Sequence, residues 1–320
     1  MENANVQGLL SVILPVYNEV AIIEESVRRV GRVLSEADIP HELILVDDGS
    51  TDGSWAKLAE MAKTLPWVRA VRLSRNFGKE GAMAAGLDRA HGACVAMIDC
   101  DMQHPPEILP EMYRLWRDEG FQVVEGVKNT RGKESKPHTW AANMFYGLLR
   151  SSSGINLHNA SDFRLMDRTA VEAWKSMPER RIFFRAMSTW VGFARTQVVF
   201  DVAPRAGGQT HFSLRRLFSL AVDAITSFSA APLQLVTLGG FVLLVLFTLL
   251  GVQTVYMKLS GRAVPGFTTV ILLLLIIGGT LMVALGIIGI YIAKIYEEVK
   301  GRPRYLVQQE VRHEKPGGPA

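Results

Sequence analysis

The sequence predicts an α/β protein with a doubly wound, mostly parallel sheet, followed by a pair of membrane-length helices. Three observations carry this. Residues 9–101 alternate short β-branched runs with helical apolar spacing. Such a strand–helix order implies a mostly parallel sheet with helices on both faces. Two long stretches, 232–257 and 263–293, contain no charged residue, and about 20 apolar residues suffice for a helix to cross a bilayer.

The elements follow in order. "LLSVILPVY" (9–17) reads as the first strand, and "VAIIEESVRRVGRVLSEA" (20–37) has helical spacing. "ELILVDDGSTDGS" (42–54) is a strand breaking into a polar turn. Residues 55–64 are helical, and "VRAVRLS" (68–74) is the third strand. "GKEGAMAAGLDRAHG" (78–92) is a small-residue helix expected to end at a glycine cap, Gly92. "ACVAMIDCD" (93–101) is the fourth strand. The apolar start lacks a basic leader and is cut by Pro15, so it reads as a strand and not as a signal peptide.

The two uncharged stretches are joined by "KLSGR" (258–262), which makes them a hairpin with both outer ends on one side. Lys and Arg are frequent before the hairpin and in the tail, which by the positive-inside rule puts both in the cytoplasm. "SLRRLFSLAVDAITSFS" (213–229) has a basic start and apolar residues at helical spacing, and reads as an interfacial helix. The expected organisation is therefore a catalytic domain over 1–210, an interfacial helix over 211–230, and a membrane region over 231–296. Within that region the spans lie at about 232–257 and 264–293. The region 297–320 is a cytoplasmic tail whose end, "RHEKPGGPA", is expected to be disordered. The net charge of +4 suits a surface of anionic lipid and gives no reason to expect nucleic acid. Cys94 and Cys100 share one apolar segment and read as reduced core residues.

In doubly wound sheets, ligands bind at the carboxyl ends of the strands, and polar clusters fall there. Residues 15–19 (PVYNE) follow strand one, 47–52 (DDGSTD) strand two, 74–79 (SRNFGK) strand three, and Asp99-Cys100-Asp101 strand four. Asp99 and Asp101 flank one residue, so their side chains are expected to point the same way. Two close carboxylates repel unless a cation intervenes, and oxygen ligands select a hard cation, Mg2+ or Mn2+, that keeps positions open for phosphate. Asp48 reads as a ligand contact, and for Asp47 a structural alternative, capping the turn, stays open. No G-x-G-x-x-G or P-loop pattern occurs, which argues against a dinucleotide or P-loop enzyme. His104, His158 and His211 lack zinc-site spacing with cysteine, and Ser50, Ser54 and Ser74 show no His–Asp pairing.

"VILPVYNE", "LILVDDGSTDGS", "LSRNFGKEGAMAAGLDRAHG" and "IDCDMQHPPE", in this order and spacing, closely resemble family 2 glycosyltransferases. "SDFRLMDR" (161–168), "PERRIFFRAMSTWVGF" (178–193) and the helix pair narrow the resemblance to the polyprenyl-phosphate type, like bactoprenol glucosyltransferases and dolichol-phosphate mannose synthases. It covers roughly residues 9–299. The resemblance implies a GT-A fold and inversion at the anomeric carbon. It places Pro15, Tyr17, Glu19 and Asp48 at the nucleoside, Asp99 near ribose and diphosphate, and Asp101 and Gln103 on the metal. Asp162 and Arg164 fall beside the sugar and acceptor phosphate. Lys79 is available to a phosphate, or is simply a solvated helix start.

The acceptor, a lipid monophosphate, needs cations. Arg131, Arg180, Arg181, Arg185, Arg205, Arg215 and Arg216 join Arg164 as candidates, since arginine binds two phosphate oxygens at once. Arg164 and Arg185 are preferred because they lie inside matching motifs. The chain departs from the family at "GQTHF" (208–212), where G-x-S-K-Y is usual. Thr210 keeps a hydroxyl, whereas His211 removes a permanent charge. Ser161 replaces a common Gly, and Cys100 a small Ala.

The expected activity is transfer of a sugar from a nucleotide-sugar, UDP-glucose first, to undecaprenyl phosphate at the bacterial inner membrane, with the catalytic domain cytoplasmic. A UDP-N-acetylhexosamine or GDP-mannose donor stays open. A downstream flippase is implied by the resemblance, and a homo-oligomer is compatible with it. A processive polysaccharide synthase would carry Q-x-x-R-W, which this chain lacks. An anchored dehydrogenase would need the glycine fingerprint, and a scaffold would have no reason to place acids at four strand ends.

Overall fold

A computed structural model describes residues 8–101, 103–129, 160–177, 192–201, 231–261 and 266–313. They fall into two compact units. One holds the sheet, its helices and the residues after Gly301; the other holds the two long C-terminal helices.

In the first unit, β1 (Leu10–Val16), α1 (Ile23–Glu36), β2 (His41–Asp47), α2 (Ser54–Thr64), β3 (Val68–Leu73), α3 (Lys79–Leu87) and β4 (Cys94–Met97) follow one another as the sequence pattern predicts. Then come a 3-10 turn (Pro106–Ile108), α4 (Leu109–Glu119), β5 (Val123–Lys128), β6 (Ala160–Asp167), α5 (Arg168–Lys175) and β7 (Arg195–Phe200). A last strand, β8 (Val307–Arg312), comes from beyond the helix pair.

Among the described residues the sheet has eight strands in the order β7-β5-β6-β4-β1-β2-β3-β8. β4, β1, β2 and β3 pair in parallel, as do β5 and β7. β6 runs antiparallel between β4 and β5, and β8 antiparallel on β3. Parallel strands buried on both faces read as continuous apolar runs, and β1 shows how the two faces divide. Leu10, Val12, Leu14 and Val16 enter a core with Val27 of α1, Leu58 of α2 and Met112 of α4. Ile13 faces the other way, into a core with Ala82–Leu87 of α3 and Trp174 of α5. The sheet is thus covered on both sides, and its parallel strands end together at one edge.

Three expectations are corrected. α3 ends at Leu87 and not at Gly92. Gly92 is a close-approach glycine, since a Cβ there would lie 2.5 Å from the Leu9 carbonyl oxygen and 2.7 Å from Ser11 N. β4 stops at Met97, so Asp99 and Asp101 lie past its end and do not share strand alternation. A turn forms there instead: Asp101 Oδ1 accepts from Gln103 N at 3.0 Å, and Ser26 Oγ donates to the Cys100 carbonyl at 2.7 Å. Finally, the tail is not detached. Residues 307–312 close the β3 edge, and they and the preceding stretch are tied to the residues just after α3 and β3. There Tyr305 donates to Asp88 Oδ2 at 2.5 Å, Arg89 Nε lies 3.0 Å from Glu310 Oε2, and Leu306 O accepts from Ser74 N at 2.9 Å. The pattern V-Q-Q-E-V-R offers only Val311 to the core, too weak an alternation to mark a strand in advance. The remainder of the tail, from residue 314, lies outside the described residues.

The second unit consists of α6 (Ala231–Leu259) and α7 (Phe267–Val299). Both are long and apolar enough to cross a membrane, over Leu233–Leu259 and Ile276–Val299. Their apolar side chains are exposed nearly all round, and four threonine hydroxyls bond back to their own helix. Thr237, Thr248, Thr254 and Thr280 each donate to the carbonyl four residues back, at 2.8 to 3.1 Å. This is how a hydroxyl is satisfied without water. The expected interfacial helix at 211–230 lies outside the described residues.

Candidate active site

The four polar clusters converge. A cavity of about 300 Å³ at the carboxyl edge of the sheet is lined by Pro15 at the end of β1, Tyr17 and Glu19 after it, Asp48 after β2, Asn76, Gly78 and Lys79 after β3, and Asp99, Cys100 and Asp101 after β4. Local chemistry fixes each loop. Asn18, at φ 56, presents its N–H to Ser50 Oγ at 2.9 Å and accepts from Thr51 N at 2.8 Å. Glu19 N donates to Ser54 Oγ at 3.0 Å, and Val20 N to Asp52 Oδ2 at 3.0 Å. The β1 and β2 loops are thereby sewn together.

Asp47 caps the turn, the structural alternative left open for it. It is fully buried, accepts from Ser50 N at 3.1 Å, and has Oδ2 3.4 Å from Arg72 Nε. Asp48 lines the cavity but spends both oxygens on the next loop, accepting from Phe77 N at 2.7 Å and Gly78 N at 2.9 Å. Gly49 makes that crossing possible. Its φ is +72, and a Cβ would lie 2.6 Å from Arg75 C and 2.7 Å from Asn76 N.

Lys79, the first residue of α3, is no solvated helix start. Its Nζ lies 2.5 Å from Asp99 Oδ1 and 2.8 Å from Asp162 Oδ2. β6 pairs with β4 so that Arg164 opposes Met97, the last residue of β4, which brings Asp162 to the same end of the sheet as the Asp99 loop. Burial pulls the Lys79 ammonium down, but the two carboxylates more than offset this and hold it above the ordinary lysine value.

Around that cation the cavity is acidic. Glu19, Asp48, Asp99 and Asp101 line it together with Lys79. Burial, then the charges of Asp101, Asp52 and Asp99, push Glu19 above the usual carboxylate range. Among the described residues no group of three acidic, His or Cys side chains forms a closed metal cage. An open set of one or two carboxylates with an amide fits Mg2+ or Mn2+, which complete their shells with water and substrate phosphate. Asp101 lines the cavity and could supply such a carboxylate; Gln103 is not among the lining residues and meets Asp101 through its backbone N–H. Cys100 is buried, and burial pushes its thiol well up, so it adds no reactive group.

Other expected residues fall elsewhere. Arg164 is fully buried within the sheet, 3.7 Å from Glu125 Oε1, and is not among the residues lining the cavity. Of the "DFR" pair it is Asp162 that meets the cavity, through Lys79. Arg131, Arg185, Thr210 and His211 lie outside the described residues, as do Arg180, Arg181, Arg205, Arg215 and Arg216. The sequence reading gave no role to Asn18, Ser50, Asp52 and Ser54, which set the loops, nor to Asn76, which lines the cavity. Their signal was present in the side-chain acceptors and donors crowding both loops. It also missed His104, buried beside Asp99 with Nδ1 3.5 Å from Oδ2.

Comparison with known proteins agrees with this geometry. Residues 11–174 match the family model described as Glycosyl transferase family 2, and residues 210–316 match that of the TMEM192 family. An uncharacterized glycosyltransferase of Synechocystis sp. is 39% identical over 300 residues, 93% of this chain and 94% of that protein. The bactoprenol glucosyl transferase of Shigella phage SfII is 33% identical over 305 residues, 95% of this chain and 98% of that protein. Among solved structures, glucosyl-3-phosphoglycerate synthase from Mycobacterium tuberculosis, in complex with Mn2+, uridine diphosphate and phosphoglyceric acid, has a TM-score of 0.50 at 22% identity. The match covers 68% of this chain and 76% of that one, a likeness of fold.

Proposed function

Because the chain belongs to glycosyl transferase family 2, we propose that it moves a sugar, glucose first among candidates, from a UDP-sugar to undecaprenyl or another polyprenyl phosphate. The reaction takes place at the cytoplasmic face of the bacterial inner membrane, requires Mg2+ or Mn2+, and inverts the anomeric carbon. The observation that carries the reading is the crowding of Glu19, Asp48, Asp99 and Asp101 around one cavity with Lys79 among them. Such a site favours a ligand that brings a divalent cation and a diphosphate together. The bactoprenol glucosyl transferase name of a full-length relative supports the acceptor. The Mn2+ and uridine diphosphate of the structural neighbour are in keeping with the donor.

The chemistry needs little acid–base help. A C1–O bond forms to an oxygen of the acceptor phosphate as the bond from C1 to the β-phosphate oxygen breaks, and the acceptor is already anionic at neutral pH. A divalent ion at Asp101 and Gln103 would neutralise charge on the departing diphosphate. Tyr17 and Glu19 would hold the nucleoside. Asp48 would hold it indirectly, by fixing the β3–α3 loop. Lys79 keeps a fixed positive charge beside Asp99, where negative charge grows in the transition state. Asp162, tied to Lys79, orients and does not need to take a proton. Arg131, Arg185, Thr210 and His211 are proposed for the acceptor phosphate, with Arg164 supporting them from within the sheet.

The proposed organisation keeps a catalytic domain at 1–210, an interfacial helix at 211–230 and spans near 232–257 and 264–293. That β8, which follows the helix pair in the chain, joins the same sheet as the strands before it is in keeping with two crossings.

The test uses detergent-purified protein, undecaprenyl phosphate and Mn2+ or Mg2+, offered UDP-glucose, UDP-N-acetylhexosamines and GDP-mannose separately. A lipid-linked hexose seen by mass spectrometry from UDP-glucose is the expected result. Product from another donor alone corrects the sugar. Folded protein that yields no lipid-linked product from any donor refutes the reading.

A further inference from the structure

His104 is 4% exposed. Its ring lies 5.2 Å from the Phe163 ring and 5.6 Å, edge-on, from that of Phe200. Apolar packing accounts for a ring there but not for a nitrogen, since phenylalanine would fill the same slot. Yet Nδ1 is buried without a hydrogen-bond partner and lies 3.5 Å from Asp99 Oδ2. An orphaned buried polar atom is costly and calls for a reason. Oδ1 of the same carboxylate is gripped by Lys79 at 2.5 Å.

We propose that His104 is a positioning residue for the donor site. Its Nδ1–H is the second anchor of the Asp99 carboxylate, opposite Lys79, and closes onto Oδ2 when a metal–nucleoside diphosphate draws on Asp99. A shift of about half an ångström brings the pair to hydrogen-bond distance. Two anchors on opposite oxygens fix the plane of the carboxylate, which a contact to one oxygen alone does not. The aromatic slot holds the ring so that the bond forms at a set angle. This inference rests on the donor site proposed above.

Two substitutions separate positioning from packing. His104→Phe keeps the ring and removes the nitrogen. His104→Asn removes the ring and keeps a donor near the Nδ1 position. The probe is UDP with Mn2+, titrated into the full-length protein in detergent, with thermal melting alongside. His104→Phe should melt like the parent and bind UDP–Mn2+ about tenfold more weakly, the range for a hydrogen bond to a charged group. His104→Asn should melt lower and bind within about threefold of the parent, because the donor is retained. In an Asp99→Asn background the His104→Phe effect should vanish, which a general folding defect would not produce. Unchanged binding by His104→Phe, weaker binding by His104→Asn than by His104→Phe, or additive effects in the double variant would overturn the assignment. A folded parent that binds no UDP–Mn2+ would instead bring down the donor site itself, and His104's role with it.

Discussion

Lys79→Met is the perturbation that most directly tests the electrostatics of the cavity. Lys79 stands 2.5 Å from Asp99 and 2.8 Å from Asp162, so its removal leaves two carboxylates facing each other across the gap its nitrogen filled. Two unit charges about 5 Å apart repel by about 3 kcal/mol at an effective dielectric of about 20. Water reaches the site, since the Lys79 side chain is 37% exposed and that of Asp99 24%; screening brings the figure to about 1–2 kcal/mol. A divalent cation relieves that repulsion. Without nucleotide, Mn2+ should therefore bind Lys79→Met about tenfold more tightly than the parent, since 1.4 kcal/mol is a factor of ten. Turnover should move the other way, falling about a hundredfold with the loss of a fixed cation beside the diphosphate. The assay is a titration of full-length protein in detergent, reading free Mn2+ by electron paramagnetic resonance, followed by steady-state rates. Lys79→Arg keeps the charge and should return Mn2+ affinity close to the parent value. Mn2+ binding that stays level or weakens in Lys79→Met would refute the argument that Lys79 is the cation balancing these acids.

Three further outcomes are expected. Gly49→Ala must strain a φ of +72 and push a Cβ into the Arg75–Asn76 backbone; a loss of about 2 kcal/mol or more in stability, with weaker nucleotide binding, is expected from a denaturant melt, and a neutral result would mean the loop crossing relaxes freely. Burial pushes Asp167 up, but hydrogen bonds from Thr169, Trp116 and the local backbone outweigh it and hold the carboxyl below its ordinary value. Its stabilisation is therefore present above the unfolded pKa of about 4 and is lost as pH falls through the folded value. Asp167→Asn should cost about 1 kcal/mol at neutral pH, and its melting curve should converge on the parent's as the pH drops below about 4; parallel curves at all pH values would contradict this. Ending the chain after Gly301 removes β8, bares the β3 edge and should yield a protein that melts lower and self-associates, whereas a monodisperse product with unchanged melting would show β8 to be dispensable.

What the sequence made legible follows from how each feature is encoded. The β1–α3 alternation was readable because buried parallel strands are written as apolar runs and helices as spaced ones, and both survive in a single chain. The four loops of the cavity were readable because polar residues concentrate where those strands end. β8 was not. An edge strand that buries a single valine and holds on by Glu310, through Arg89, and by the Tyr305 beside it leaves almost no periodic trace. The partners of Lys79 were hidden for a different reason: Asp162 lies 83 residues away in the chain, and only the antiparallel insertion of β6 beside β4 brings it in.

That insertion also bears on how the donor and acceptor sides communicate. Asp99 belongs to the loop proposed for the nucleotide, and Asp162 to the segment proposed for the sugar and acceptor; one ammonium holds both. The helix that presents it is gripped at its far end by the strap leading from α7 into β8, through Asp88 and Arg89. α3 also packs on β1 so tightly that a Cβ on Gly86 would clash with Ile13. Close-packed interiors respond to displacement as units and do not deform continuously. The position of Lys79 is therefore set by the core beneath it and by the chain returning from the hairpin, as well as by the two acids it bridges. A change confined to the strap, such as Tyr305→Phe, removes the hydroxyl's hydrogen bonds with Asp88 and Arg89 at a distance from the cavity and keeps the ring over Arg89. If the strap helps to set Lys79, that change should lower turnover more than it lowers melting temperature. Equal, small effects on both would confine the strap to stability.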